Sequence, residues 1–187
     1  NNNKQIGVAR AGNVIGGGDW AENRIVPDCV KAWSRNLSVS IRNSYSTRPW
    51  QHVLEPLSGY LALGAHLAKN KNKNGAAYNF GPPSYQNHSV KLLIKEMKKS
   101  WNKVLWKDVS QSKKKFFESG LLKLNCDKAL IELDWKPVLS FEETIKITVD
   151  WYKNYYEDKS KSMIKISEKQ LINYIKLANK RGLTWAQ

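Results

Sequence analysis

Two short runs carry side chains suited to gripping an anion: Arg10-Ala-Gly-Asn-Val-Ile-Gly-Gly-Gly-Asp-Trp20 and Thr47-Arg-Pro-Trp-Gln-His-Val53. Each sets a cation or an amide at the end of an apolar stretch, beside turn-forming residues. Open α/β sheets collect their ligands at such points. A guanidinium is a planar fork that holds two oxygens of a phosphate and stays charged at any working pH. Arg24, Arg42 and Arg48 are scarce arginines in a lysine-rich chain, and all three lie near turns. One charge-assisted contact contributes roughly 1.5–3 kcal/mol, so two of them separate micromolar from millimolar binding.

Other residues admit two readings. Asn13 and Asn79 are either ligand contacts or amides that close a strand end through their own side chains. His52 either meets a ligand or is a structural histidine on a half-buried strand. It has no Ser or carboxylate partner in a triad-like pattern and is not read as a catalytic base. Trp20, Trp33, Trp50, Trp135 and Trp151 read as core, with Trp50, between Pro49 and Gln51, the one expected near a ligand. Cys29 and Cys126 lie in the helix-like segments Pro27–Asn36 and Asn125–Leu133, without metal-ligand spacing. They imply reduced, structural thiols and a cytoplasmic protein. His52, His66 and His88 form no ligand motif, and no metal is expected.

The elements that must position these side chains alternate between strand and helix. Gln5–Asn13 reads as a strand, and Gly16-Gly-Gly18 forces a turn. A helix follows over Pro27–Asn36 with Val30, Ala32 and Trp33 inward. Ser38–Arg42 and Trp50–Leu54 read as short strands with a loop between them. A helix runs from Glu55 or Pro56 to Lys69, its apolar set being Leu57, Leu61, Gly64, Ala65 and Ala68. Ala76–Phe80 has the pattern of a buried strand. A helix capped by Ser89 extends to Trp101, and Val104–Val109 is a strand. Lys113–Gly120 is a basic loop, and Asp127–Leu133 a helix. Ser140-Phe-Glu-Glu143 is a capping box that opens a helix to Tyr156, with Phe141, Ile145, Val149 and Tyr152 on one stripe. Ser167–Lys180 forms a basic terminal helix. The alternation indicates an α/β fold whose later part is mixed.

Composition bounds the function classes. The 187 residues, 41% of them apolar and including 8 Trp, can build a real core. No apolar run reaches the roughly 18 residues of a membrane span. The formal charge of +15 comes mainly from lysines in clusters such as Lys113-Lys-Lys115 and the terminal segment. Such a surface can attract nucleic acid. These lysines, however, lie among Asn and Ser, as in a solvated loop, without converging arginines or stacking aromatics. Nucleic acid is therefore the lesser expectation.

Several runs in order resemble the nucleotide-sugar 4,6-dehydratases of the extended short-chain dehydrogenase/reductase superfamily. They are Arg10-Ala-Gly-Asn-Val-Ile-Gly16, Trp50-Gln-His-Val-Leu-Glu55, Tyr78-Asn-Phe-Gly81, Leu124-x-x-Asp-Lys-Ala and Leu133-x-Trp-x-Pro137. Gly16-Gly-Gly-Asp-Trp20, where most relatives continue Gly-Pro, resembles the CDP-glucose branch. The resemblance implies an α/β fold made of the last Rossmann strands and a mixed α/β substrate-binding lobe. Residues 1–158 would form that partial sheet and sugar-nucleotide lobe, and 159–187 a basic linker and C-terminal helix. It further implies that Asn13, Arg24, Ile41, Arg42, Arg48 and Asn79 bind substrate, with Ile41 as a base wall. Arg42 is either specific to the branch or without a role. Arg10, Ala11 and Gly12 would face the cofactor, NAD.

In that family NAD takes a hydride from C4 of the sugar, water leaves across C5 and C6, and the hydride returns to C6. A Tyr–Lys pair takes the 4-hydroxyl proton. The sequence shows no Gly-x-x-Gly-x-x-Gly after a first strand. Tyr155 with Lys159 alone has the Tyr-x-x-x-Lys spacing, and it sits at the end of a helix, far from the expected place. The expectation is therefore the substrate-binding half of a dehydratase, inactive alone and lacking catalytic residues, whose bare strands drive self-association or leave the first segment disordered. An epimerase of the same superfamily, a basic nucleic-acid-binding module and a scaffold without ligand are the alternatives.

Overall fold

The computed structural model describes residues 4–70, 73–110 and 122–186. The basic loop expected at Lys113–Gly120 lies outside the described residues.

Parallel strands joined by helices dominate, as α/β alternation requires. The chain opens with β1 (Val8–Ala11) and β2 (Val14–Ile15), then α1 (Ile25–Ser34) and β3 (Val39–Ile41). The short strands β4 (Thr47–Arg48) and β5 (Gln51–His52) lead into α2 (Leu54–Lys69) and β6 (Ala77–Phe80). β7 (His88–Ser89), α3 (Val90–Ser100), β8 (Trp106–Asp108) and α4 (Asp127–Leu133) follow, then α5 (Phe141–Glu157) and α6 (Met163–Lys180). β1 pairs with β6, β2 with β5 and β3 with β8, all parallel, while β4 and β7 are antiparallel.

The capping chemistry acts as the residue types demand. The Ser89 hydroxyl accepts from the Leu92 N–H at the head of α3. At α5, Ser140 and Glu143 satisfy each other's backbone N–H groups in a complete capping box. The stripe of Phe141, Ile145, Val149 and Tyr152 is buried. It joins Trp33 of α1 and Met97 of α3 in the largest core. A second core lies between α2, β6 and α4, around Leu63, Leu67, Phe80 and Trp135. A third gathers Tyr174 and Ala178 of α6 against Val138 and Leu139.

Three expectations change in detail. The strand expected over Gln5–Asn13 breaks at Gly12–Asn13, where the chain leaves β6 and takes β5 as its partner. The last helix starts at Met163, four residues earlier than expected, with Ser162 as its cap. Cys126 is the residue that precedes α4, not one inside it.

The larger difference concerns α2. Its apolar set faces solvent: Leu57 is 47% and Leu61 76% exposed, and Gly64, Ala65 and Ala68 are exposed too. The buried side includes Glu55 and Ser58. Periodicity could not choose between faces because α2 is apolar almost all round. Hydrogen bonds made the choice. The Glu55 carboxylate accepts from the Val138 and Leu139 N–H groups and from the Tyr174 hydroxyl. Ser58 Oγ accepts from Trp135 Nε1 at 2.9 Å.

Candidate functional site

A cleft of about 970 Å³ opens beside the C-terminal ends of β1 and β3. Strand ends bring it together. β1 ends at Ala11 and the chain then turns through Gly12 and Asn13, while β3 ends at Ile41 and delivers Arg42. β4 supplies Arg48. The strip between β2 and α1 lines the cleft through Gly16, Asp19, Asn23 and Arg24. Its reversal uses Gly18 (φ 79°) and Asn23 (φ 62°), a left-handed conformation that glycine and asparagine adopt most readily.

Five of the six residues expected to bind substrate line this cleft: Asn13, Arg24, Ile41, Arg42 and Arg48. Arg24 Nη1 lies 3.3 Å from Asp19 Oδ2, and its side chain is 62% exposed. An exposed pair of this kind is weak and leaves the guanidinium available to a stronger anion. Arg48 Nη1 donates to the Thr47 carbonyl at 2.8 Å. Ile41, 6% exposed, belongs to the main core as well as to the cleft wall. Asn79 lies elsewhere: its amide donates to the Asn125 carbonyl at 3.0 Å. It pairs in register with Arg10 on the face of the β1–β6 sheet opposite Tyr78 and Phe80.

Of the three residues expected to face NAD, Ala11 and Gly12 line the cleft and Arg10 does not. The glycine cluster does not form a pyrophosphate cradle. A Cβ at Gly17 would sit 2.0 Å from Trp151 Cγ, so an indole fills the space a phosphate would need. Tyr155 is 41% exposed and its ring is stacked on Trp151. The described residues do not fit NAD by themselves.

His52 is buried more deeply than its strand pattern implied, at 2% exposure. Its Nδ1 accepts from the Leu54 N–H, which places the ring proton on Nε2. Nε2 has no partner among the described residues, and burial pulls the pKa down to about 4. Trp50, 5% exposed, lines the cleft while its indole N–H donates to the His88 carbonyl at 3.0 Å.

Sequence reasoning did not single out Asp19, Asn23, Asn43 or Tyr60, which also line the cleft. Asp19 had a signal: an acid set between a glycine run and Trp20, five residues before an arginine it can pair with. Tyr60 had none, because its place depends on which face α2 buries. Burial pushes the Cys29 thiol up to about 12 and the Cys126 thiol up to about 11. Neither is a nucleophile at neutral pH.

No family model matches the sequence. Over 173 residues, 91% of this chain and 47% of the relative, it is 38% identical to CDP-glucose 4,6-dehydratase of Salmonella typhimurium. The chain thus spans about half the length of the curated relative it matches. Among solved structures, the UDP-glucose 4-epimerase of Thermotoga maritima with UDP-glucose superposes with a TM-score of 0.66 at 22% identity. That match covers 82% of this chain and 47% of that one. A UDP-glucose 4-epimerase from Stenotrophomonas maltophila, with bound NAD and formylated UDP-arabinopyranose, gives 0.69 at 18% identity, covering 82% and 49%. At such identities these structures speak for the fold alone. The fold and the 38% identity agree: this chain is similar to CDP-glucose 4,6-dehydratase over 91% of its length, and its α/β fold is that of the solved nucleotide-sugar epimerases.

Proposed function

We propose that this chain is the sugar-nucleotide-binding half of a cytoplasmic nucleotide-sugar 4,6-dehydratase that converts CDP-glucose to CDP-4-keto-6-deoxyglucose when complete. By itself it binds and does not catalyse. The observation that carries the reading is the convergence of Arg24, Arg42 and Arg48 on one cleft at the strand ends. A volume of about 970 Å³ is at the upper end of the range for small-molecule sites. Three cations around it suit a diphosphate, while Asn13 adds an amide at the turn after β1. Arg48 holds the diphosphate through charge-assisted hydrogen bonds, and Ile41 and Trp50 give the apolar surface a base or sugar needs. NAD, which the solved relative from Stenotrophomonas maltophila holds, would serve the complete enzyme, with Ala11 and Gly12 on its side of the cleft.

The same reading assigns self-association to the uncovered surface. Among the described residues β1 has one strand partner, β6, and Val8 is 43% exposed. Next to it α2 presents Leu57, Tyr60 and Leu61 to solvent without a charge among them. Unpaired strand edges and apolar patches of this kind favour association.

Calorimetric titration with CDP-glucose tests the binding reading, with dTDP-glucose and a short single-stranded oligonucleotide as comparisons. Selective CDP-glucose binding that weakens by roughly 10- to 150-fold in Arg48→Ala supports it, the factor expected from losing one charge-assisted contact. Salt-sensitive oligonucleotide binding without sugar-nucleotide binding would replace it with the basic-module reading.

A further inference from the structure

The wall of the cleft from Gly16 to Arg24 is neither helix nor strand, yet it is held from outside by two residues of α5. Trp151 lies against Gly17 so closely that no side chain fits between them. The Tyr152 hydroxyl donates to the Asp19 carbonyl at 2.8 Å. Trp20 then packs among Trp151, Tyr152 and Tyr155, with ring centroids 6.2, 5.6 and 4.8 Å away. The helix behind continues the chain of contacts. Trp151 Nε1 donates to Ser167 Oγ of α6 at 3.0 Å, and Ser167 Oγ donates to the Met163 carbonyl. On the cleft side, the Asp19 carboxylate accepts from the Ala21 N–H and from Arg24.

We infer that Trp151 and Tyr152 are positioning residues for Arg24: they seat the Gly17–Asp19 turn, Asp19 aims the guanidinium into the cleft, and α6 locks Trp151 through Ser167. None of Trp151, Tyr152 or Ser167 lines the cleft. The C-terminal helix therefore governs the anion affinity of a site it does not touch. The geometry explains two of the three glycines at 16–18: Gly17 admits the indole, and Gly18 makes the left-handed turn. It also gives the buried tyrosine a reason to keep its hydroxyl, since a phenylalanine would fill the same space without holding the Asp19 carbonyl. The inference rests on the binding reading only where ligand affinity is concerned.

Two readouts on the full chain keep the failures apart. Hydrogen–deuterium exchange needs no ligand. Tyr152→Phe should speed exchange of the amides between Gly17 and Arg24 by about 5- to 10-fold, the factor for one hydrogen bond of ordinary strength. Ser167→Ala should act in the same direction on the same amides. Lys73→Ala, which removes the ion pair with Glu132 elsewhere in the fold, should leave them unchanged. In calorimetry with CDP-glucose, Tyr152→Phe should weaken binding about 3- to 10-fold in the parent and have no further effect in Arg24→Ala, because the hydroxyl acts through that arginine. Unchanged exchange at 17–24 in Tyr152→Phe overturns the inference. So does an affinity loss of equal size with and without Arg24. If the parent does not bind CDP-glucose while exchange responds as stated, the positioning stands and the binding reading falls.

Discussion

Glu55 offers the sharpest test of the framework behind the cleft. The carboxylate is 1% exposed and sits in the first turn of α2. Leu139 N donates to Oε1 at 2.7 Å, Val138 N lies 3.1 and 3.0 Å from the two oxygens, and the Tyr174 hydroxyl donates to Oε2 at 2.8 Å. Glu55→Gln keeps one oxygen and turns an amide NH2 toward donors on the other side. With the oxygen kept by Val138 and Leu139, the stranded donor is the Tyr174 hydroxyl. It can turn to Ser58 Oγ, which is 3.2 Å away. One hydrogen bond is then lost, at a cost of roughly 0.5–1.5 kcal/mol. Glu55→Ala strands the Val138 and Leu139 donors at about 1–3 kcal/mol each and leaves a cavity as well, a sum that reaches the lower end of an ordinary domain's stability, about 5–15 kcal/mol. The glutamine variant should therefore fold and the alanine variant should be largely unfolded. Burial raises the Glu55 pKa above 4.5 against the opposing pull of its donors and Arg181. A raised carboxyl pKa means the folded state holds the proton longer. The contribution is full below about pH 4.5 and is lost as pH rises toward the folded value. Urea unfolding of both proteins across a pH series from about 4 to 8 isolates it, since other carboxyls cancel in the difference. The advantage of wild type over Glu55→Gln should shrink as pH rises. An advantage that grows with pH would refute the reasoning and show that the three donors outweigh desolvation.

Two further predictions concern single side chains. His52 is held neutral by burial, its pKa depressed from 6.5 to about 4, so unfolding takes up a proton between those values. Wild-type stability should fall as pH drops from 6.5 toward 4, by on the order of 3 kcal/mol relative to His52→Leu; a difference that does not vary with pH would count against it. Leu61→Lys places a charge on the exposed face of α2, where the side chain is 76% exposed. Sedimentation velocity should show weaker self-association with stability changed by no more than about 0.5 kcal/mol, and a wild-type chain that stays monomeric at high concentration would remove the proposed surface.

Local chemistry was readable from sequence wherever one segment decides it. The capping box at Ser140, the Ser89 cap and the buried stripe of α5 need only residues within a few positions of each other. The placement of Asn13, Arg24, Ile41, Arg42 and Arg48 around one cleft was foreseeable because strand ends are where an α/β chain reverses. The face of α2 was not. Its buried side is set by Val138, Leu139 and Tyr174, which lie 83 to 119 residues from Glu55. An apolar helix carries no periodic signal that names them. The antiparallel pairing of Thr47–Arg48 with His88–Ser89 was equally hidden, since two residues have no alternation to detect.

The placement of the aromatic residues carries the last step. By type, Trp151, Tyr152 and Trp20 read as core; in the fold Trp151 and Tyr152 are buried, whereas Trp20 packs on them and stays 38% exposed. Yet 133 residues separate Tyr152 from the carbonyl it holds, and that carbonyl belongs to the residue paired with Arg24. A cation on an irregular strip has several rotamers and loses affinity unless its backbone is fixed, because ordering it during binding costs free energy that subtracts from the contact. The strip has no ladder of its own, so the ordering has to come from a neighbouring element, and α5 supplies it through one indole and one hydroxyl. Burial and function are then the same fact viewed from two sides: the core residues that close the fold against α6 are also those that hold the cleft wall in shape.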